Sequence, residues 1–140
     1  MSDLSIRPIK ETKAKSSSIH PILPQHSFRM GLVCSTAGGK TTILVNMLLR
    51  KEFYYKFFDK IYIFSPTFHM DEKMSFLEID DDQIVSFFDE EKIDEILEEQ
   101  KENPKQKVLI VFEDMISELT KSIQKSNFLK LFITSRHSNI

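Results

Sequence analysis

A short apolar run, Phe28 to Val33, breaks into Ser35-Thr36-Ala37-Gly38-Gly39-Lys40-Thr41-Thr42 and resumes as an apolar helix pattern, and this constrains the chain more than any other feature. Phe28, Met30, Gly31, Leu32 and Val33 predict a strand covered on both faces. From Ser35 to Gly39 no side chain is bulky, so backbone N–H groups can converge on an anion without crowding from Cβ atoms. Ile43, Leu44, Met47 and Leu48 follow at the spacing of a buried helix stripe, which puts the turn at a positive helix N-terminus. Strand, turn and helix together predict a phosphate-binding loop formed by residues 35–42, with Lys40 as a point charge for the β/γ-phosphates and Thr41 as a hydroxyl for Mg²⁺. The pattern G-x-x-x-x-G-K-[ST] is met only in its second half. Cys34 stands at its first glycine, and Ala37 stands where related loops often carry another. A Cβ forced to positive φ at either position costs roughly 1 kcal/mol, so a weakened nucleotide affinity is expected. The plain alternative is a glycine-rich strand-to-helix turn that binds nothing.

A second feature belongs with the first. Val108-Leu109-Ile110-Val111-Phe112 is the most apolar run in the chain and stops at Glu113-Asp114. It predicts a fully buried parallel strand that delivers two carboxylates at its C-terminal edge, the Walker B arrangement, in which one acid holds Mg²⁺ through water and its neighbour polarises the attacking water. An acid pair after an apolar strand says little alone; downstream of a phosphate loop it says more.

The remaining sequence is read around these two. Residues 1–26 are polar and carry Pro21 and Pro24, which predicts a flexible N-terminal tail with His20 and His26 exposed to solvent. The segment from 27 to 140 would then be one partial nucleotide-binding domain. Phe53, Tyr54, Tyr55, Phe57 and Phe58 could stack bases, but core packing is the better account of such a cluster. Lys60 to Thr67 reads as a second strand, stopped by Pro66. Between 71 and 102 there are 14 acids against three lysines. Ile84, Phe87, Phe88, Ile93, Ile96 and Leu97 recur there at helical intervals, predicting an acidic amphipathic helix broken near Asp89, with Asp80-Asp81-Asp82 at a helix N-terminus. Apolar positions from Ile116 to Phe132 suggest two short helices. With a net charge of −2 the chain has no uniformly basic face, so any DNA contact needs local basic patches, an oligomeric channel or residues outside this chain. No apolar run approaches the roughly 18 residues that span a bilayer, so no membrane partner is expected. A lone cysteine and a polar start point to an intracellular protein.

Phe28-Arg29-Met30 leading into Gly39-Lys40-Thr41-Thr42, then Ile61 to Thr67, Val108 to Met115, and Arg136-His137-Ser138-Asn139-Ile140 occur in this order. Over residues 28–140 the chain thereby resembles the genome-packaging ATPases of poxviruses and giant viruses, within the FtsK/HerA-like P-loop superfamily. The resemblance implies an α/β, three-layer P-loop core with a mostly parallel sheet, using ATP and Mg²⁺ to drive double-stranded DNA through a homo-oligomeric ring. It implies that Lys40 and Thr41 hold phosphates and Mg²⁺, that Glu113 takes the metal-side acid position and Asp114 the water-activating one, and that Arg136 belongs to the Arg-His element as a charge stabiliser. It also implies that the strand after the Arg-His element lies between the phosphate-loop strand and the Walker B strand. The sequence to Ile140 is expected to lack that strand, which would give an incomplete sheet and a truncated copy. Glu113 stands where the family usually has Asp, which pushes the carboxylate out by one methylene. Two other readings stay open: a degenerate nucleotide-binding or interaction module without turnover, and a small nucleoside or nucleotide kinase, in which the two motif strands adjoin.

Overall fold

The computed structural model describes residues 19–35 and 37–115. Two apolar pentapeptides form its centre. Lys60–Phe64 (β1) and Val108–Phe112 (β3) run parallel in register, from Lys60 opposite Val108 to Phe64 opposite Phe112. Ile84–Val85 (β2) pairs in parallel with the other edge of β1, which gives the order β2-β1-β3.

Side chains alternate across a strand, so each strand serves two cores. Ile61, Ile63, Leu109 and Val111 share one face with Val45, Met47 and Leu48 of Lys40–Leu49 (α1). Tyr62, Phe64, Val108, Ile110 and Phe112 share the other with Ile93, Ile96 and Leu97 of Glu90–Glu102 (α2). A parallel sheet between helices is the expected α/β layering. The start of α2 is set by Asp89, whose carboxylate accepts from the amides of Glu91 at 3.0 Å and Lys92 at 3.1 Å. Glu90 and Glu91 then oppose the helix dipole in the first turn. At the far end the buried Gln100 amide donates to the Gln106 carbonyl at 2.8 Å, tying α2 to the loop that enters β3.

Several expectations are corrected. Phe28 to Val33 form no strand: Val33 is 96% exposed, and Phe28 instead stacks on Tyr54 with ring centroids 5.3 Å apart. A strand exists through its ladder partner, and among the described residues nothing pairs with the outer edge of β3. For the same reason β3 is not fully buried. Val108 is buried, whereas Leu109 to Phe112 are half-buried. The acidic segment is helical only from Glu90. Before it lie single 3-10 turns at Phe68–Met70, Met74–Phe76 and Asp81–Gln83, the last opened by Asp80 without a side-chain cap. The β-branched Ile84 and Val85 take the open edge of β1 instead of extending the helix. In α1 the buried stripe is Val45, Met47 and Leu48, and Ile43 is exposed. His26 is half-buried against Phe57 and Phe58, and that burial lowers its pKa.

Tyr54 is buried in the core among Phe28, Phe57 and Phe58, as the packing account of the aromatic cluster requires. Its hydroxyl donates to the Pro24 carbonyl at 2.6 Å, and Ile19 is buried, so residues 19–26 touch the body of the fold. No helix among the described residues is long and apolar enough to cross a membrane. Thr36 and residues 116–140, with Arg136 and the two expected short helices, lie outside the described residues.

Candidate functional site

The turn before α1 closes on itself. The Gly38 amide donates to the Ser35 carbonyl at 3.0 Å, and the Gly39 carbonyl accepts from Ile43 at 2.9 Å, so Gly39 caps the helix. Gly39 has φ 85° and Ala37 φ 61°, both left-handed. Gly38 meets a different constraint: a Cβ there would lie 2.5 Å from Cys34 Sγ and 2.9 Å from the Ser35 carbonyl oxygen. The Lys40 ammonium reaches back to donate to the Cys34 carbonyl at 3.4 Å. The turn thus places one cation at a helix N-terminus that has no acid in its first turn.

The carboxyl ends of β1 and β3 face this turn. Thr41 Oγ1 donates to Glu113 Oε1 at 2.7 Å across 72 residues of sequence. Glu113 follows β3 directly, and its amide continues the ladder to the Phe64 carbonyl at 3.0 Å. Burial pushes the Glu113 carboxyl above its usual range, hydrogen bonds from Thr41 and Ser65 pull it down, and the charges of Asp114 and Asp71 add to the rise. Asp114 comes next, exposed and left-handed at φ 53°.

Ser65 and Thr67, which follow β1, join the acids. Ser65 Oγ donates to Glu113 Oε2 at 3.4 Å, and Thr67 Oγ1 donates to Asp114 Oδ2 at 3.4 Å. The two hydroxyl oxygens are 3.3 Å apart, and the Thr67 amide donates to Ser65 Oγ at 3.3 Å.

A hydroxyl and a partly desolvated carboxylate meeting at one point suit a hard, oxygen-seeking cation. Among the described residues no group of three or more His, Cys, Asp or Glu side chains could hold a metal. The donor set here is the Thr41 hydroxyl and the Glu113 carboxylate, and Mg²⁺ usually keeps waters and takes phosphate oxygens alongside one or two carboxylates.

Of the residues singled out from the sequence, Ser35, Ala37, Gly38, Gly39, Lys40, Thr41 and Thr42 lie in one continuous turn and helix start. Thr41 and Glu113 are in direct contact, and Asp114 lies beside them. The sequence marks Ser65 and Thr67 only as the end of a strand. The available signal was that carboxyl ends of parallel strands share one edge of the sheet, so a polar Ser-Pro-Thr after one strand stands beside the acids after the next.

A family model described as Poxvirus A32 protein matches residues 18–140. No curated protein and no solved structure matches the chain.

Proposed function

The chain belongs to the Poxvirus A32 protein family, and from that premise we propose that it is an ATP-binding P-loop ATPase of the viral genome-packaging type. The observation that carries this reading is the 2.7 Å contact between Thr41, at the start of the helix behind the glycine turn, and Glu113, at the end of a distant strand. In a triphosphate site these two oxygens would share Mg²⁺, which supplies charge neutralisation across the phosphates. The free amides at the start of α1 would cradle the phosphates, and Lys40 would turn from the Cys34 carbonyl toward them. Asp114, one residue beyond the metal-side acid, would orient and deprotonate the attacking water. Arg136 is assigned to transition-state charge by resemblance alone. ATP, Mg²⁺ and placement in a viral factory inside the cell all belong to this proposal.

Double-stranded DNA and a homo-oligomeric ring belong to it too. For DNA, this reading is supported by a pocket of about 210 Å³ whose lining includes Lys51, Lys56 and Lys107 with Phe53, Tyr55 and Phe57. No acidic side chain lines it. It lies at the entrance to β3, and the acid pair lies at its exit, so DNA held there would not compete with nucleotide.

A second reading, a nucleotide-binding module without turnover, is favoured by Ala37 in a left-handed conformation and by the extra methylene of Glu113. Purified full chain assayed for Mg²⁺-dependent phosphate release separates the two. The ATPase reading expects turnover that Lys40→Ala and Asp114→Asn each remove. Turnover indifferent to both changes ends it, and nucleotide binding without turnover leaves the module.

A further inference from the structure

Ser65 is 1% exposed, yet its hydroxyl meets only polar groups of the site: Glu113 Oε2, the Thr67 amide and Thr67 Oγ1. A buried hydroxyl normally has its bonds satisfied; here one bond closes a local turn with the Thr67 amide, and the other two contacts lead to the acid pair. We propose that Ser65 and Thr67 are positioning residues that hold the two carboxylates separately, Ser65 orienting Glu113 for the metal and Thr67 orienting Asp114 for water. This rests on the nucleotide-site reading above and deepens it.

The separation follows from counting protons. Three contacts connect Glu113, Ser65, Thr67 and Asp114, but two hydroxyls have only two protons. With both carboxylates ionised, each proton points at a carboxylate, and the 3.3 Å contact between the hydroxyls is left without one. Each hydroxyl thus serves one acid. Pro66 between them has a fixed φ, which sets the spacing of the pair. Thr41 already holds Oε1 of Glu113, so the bond from Ser65 to Oε2 fixes the plane of the carboxylate rather than its position alone. At 3.4 Å both carboxylate contacts are longer than the usual 2.7–2.8 Å, as bonds in active sites often are before substrate tightens them. Their removal should accordingly alter metal use and rate more than folding.

The test uses the full chain and a fluorescent ATP analogue, titrated in EDTA and over a range of Mg²⁺ concentrations, beside phosphate release. For Ser65→Ala, analogue affinity in EDTA should match wild type, while the Mg²⁺ concentration for half-maximal tightening should rise about threefold to tenfold. If alanine lowers the melting temperature too far, Ser65→Cys keeps the volume with a weak donor and should give the same shift. For Thr67→Ala, kcat should fall about tenfold with KM and Mg²⁺ dependence unchanged, and Thr67→Ser should restore it. Wild-type Mg²⁺ dependence in both Ser65 variants overturns the Glu113 half. Unchanged kcat in Thr67→Ala, or no turnover by wild type, overturns the Asp114 half. Lys40→Ala keeps the failures apart: if it binds the analogue as wild type does, the nucleotide site itself fails, and if it loses binding while the hydroxyl variants behave as wild type, only the positioning role fails.

Discussion

At Ala37 and Gly38 the turn faces two different steric problems. Ala37 carries a Cβ at φ 61°, where glycine is the natural occupant. Ala37→Gly should therefore raise stability by about 0.5 kcal/mol, a melting shift of about 2 °C in differential scanning calorimetry. Gly38 is constrained by space instead. In Gly38→Ala the new Cβ meets Cys34 Sγ at 2.5 Å and the Ser35 carbonyl at 2.9 Å. A loss of about 1–3 kcal/mol is expected from overpacking. Adding Cys34→Ala should recover only part of it, because the backbone contact remains; full recovery in a thermal melt would refute that geometry. Glu113 provides the pH test. Its folded pKa is raised, chiefly by burial, so ionisation opposes folding above that pKa and the opposition disappears as pH falls through it. In Mg²⁺-free buffer Glu113→Gln should melt above wild type at pH 7, with the gap closing on acidification. A gap that widened toward low pH would reverse the sign.

Among the elements, α2 shows most clearly what local chemistry can specify. Asp89 accepts from two first-turn amides, and Ile93, Ile96 and Leu97 form the face that covers the sheet. Asp89→Ala should lower stability by about 1 kcal/mol, or about 4 °C in a far-UV circular dichroism melt, and Asp89→Ser should retain most of it. The break near Asp89 was legible because a helix cap is a local device. The run before it is ambiguous in sequence because Ile84, Phe87 and Phe88 fit a helical period as well as they fit anything else. What decided between helix and strand for Ile84 and Val85 was the unpaired edge of β1, and that edge comes from another part of the chain. Phe28 to Val33 fail in the opposite direction. They have the composition of a strand, but among the described residues they have no ladder to join.

For the molecule as a whole, β1 and β3 separate a basic aromatic pocket at their entrance from the acids at their exit. Five residues of strand span about 16 Å, far enough for the two ends to act on different ligands. If the pocket meets DNA phosphates, Lys51→Glu and Lys56→Glu should each weaken duplex binding in fluorescence anisotropy and flatten the salt slope by about one, while leaving nucleotide affinity unchanged. Duplex binding that survives both changes would move the DNA contact elsewhere. Lys107 is the poorer choice for this test, because its ammonium sits 4.2 Å from the Phe57 ring centre and contributes to packing.

By itself the sequence determined what depends on near neighbours: a small-residue turn ending in Gly-Lys-Thr, a helix after it, two apolar strands, and an acid pair at the end of one of them. Tertiary structure decided which strand lies beside which, how far each is covered, and that the hydroxyls after β1 reach the carboxylates after β3. The physical reason is one of range. Turn chemistry, capping and hydrophobic period act within a few residues. A ladder partner such as Val108 for Lys60 joins positions 48 residues apart, and the hydrogen bond from Thr41 to Glu113 joins positions 72 apart and exists only once the sheet has brought its carboxyl ends to a common edge.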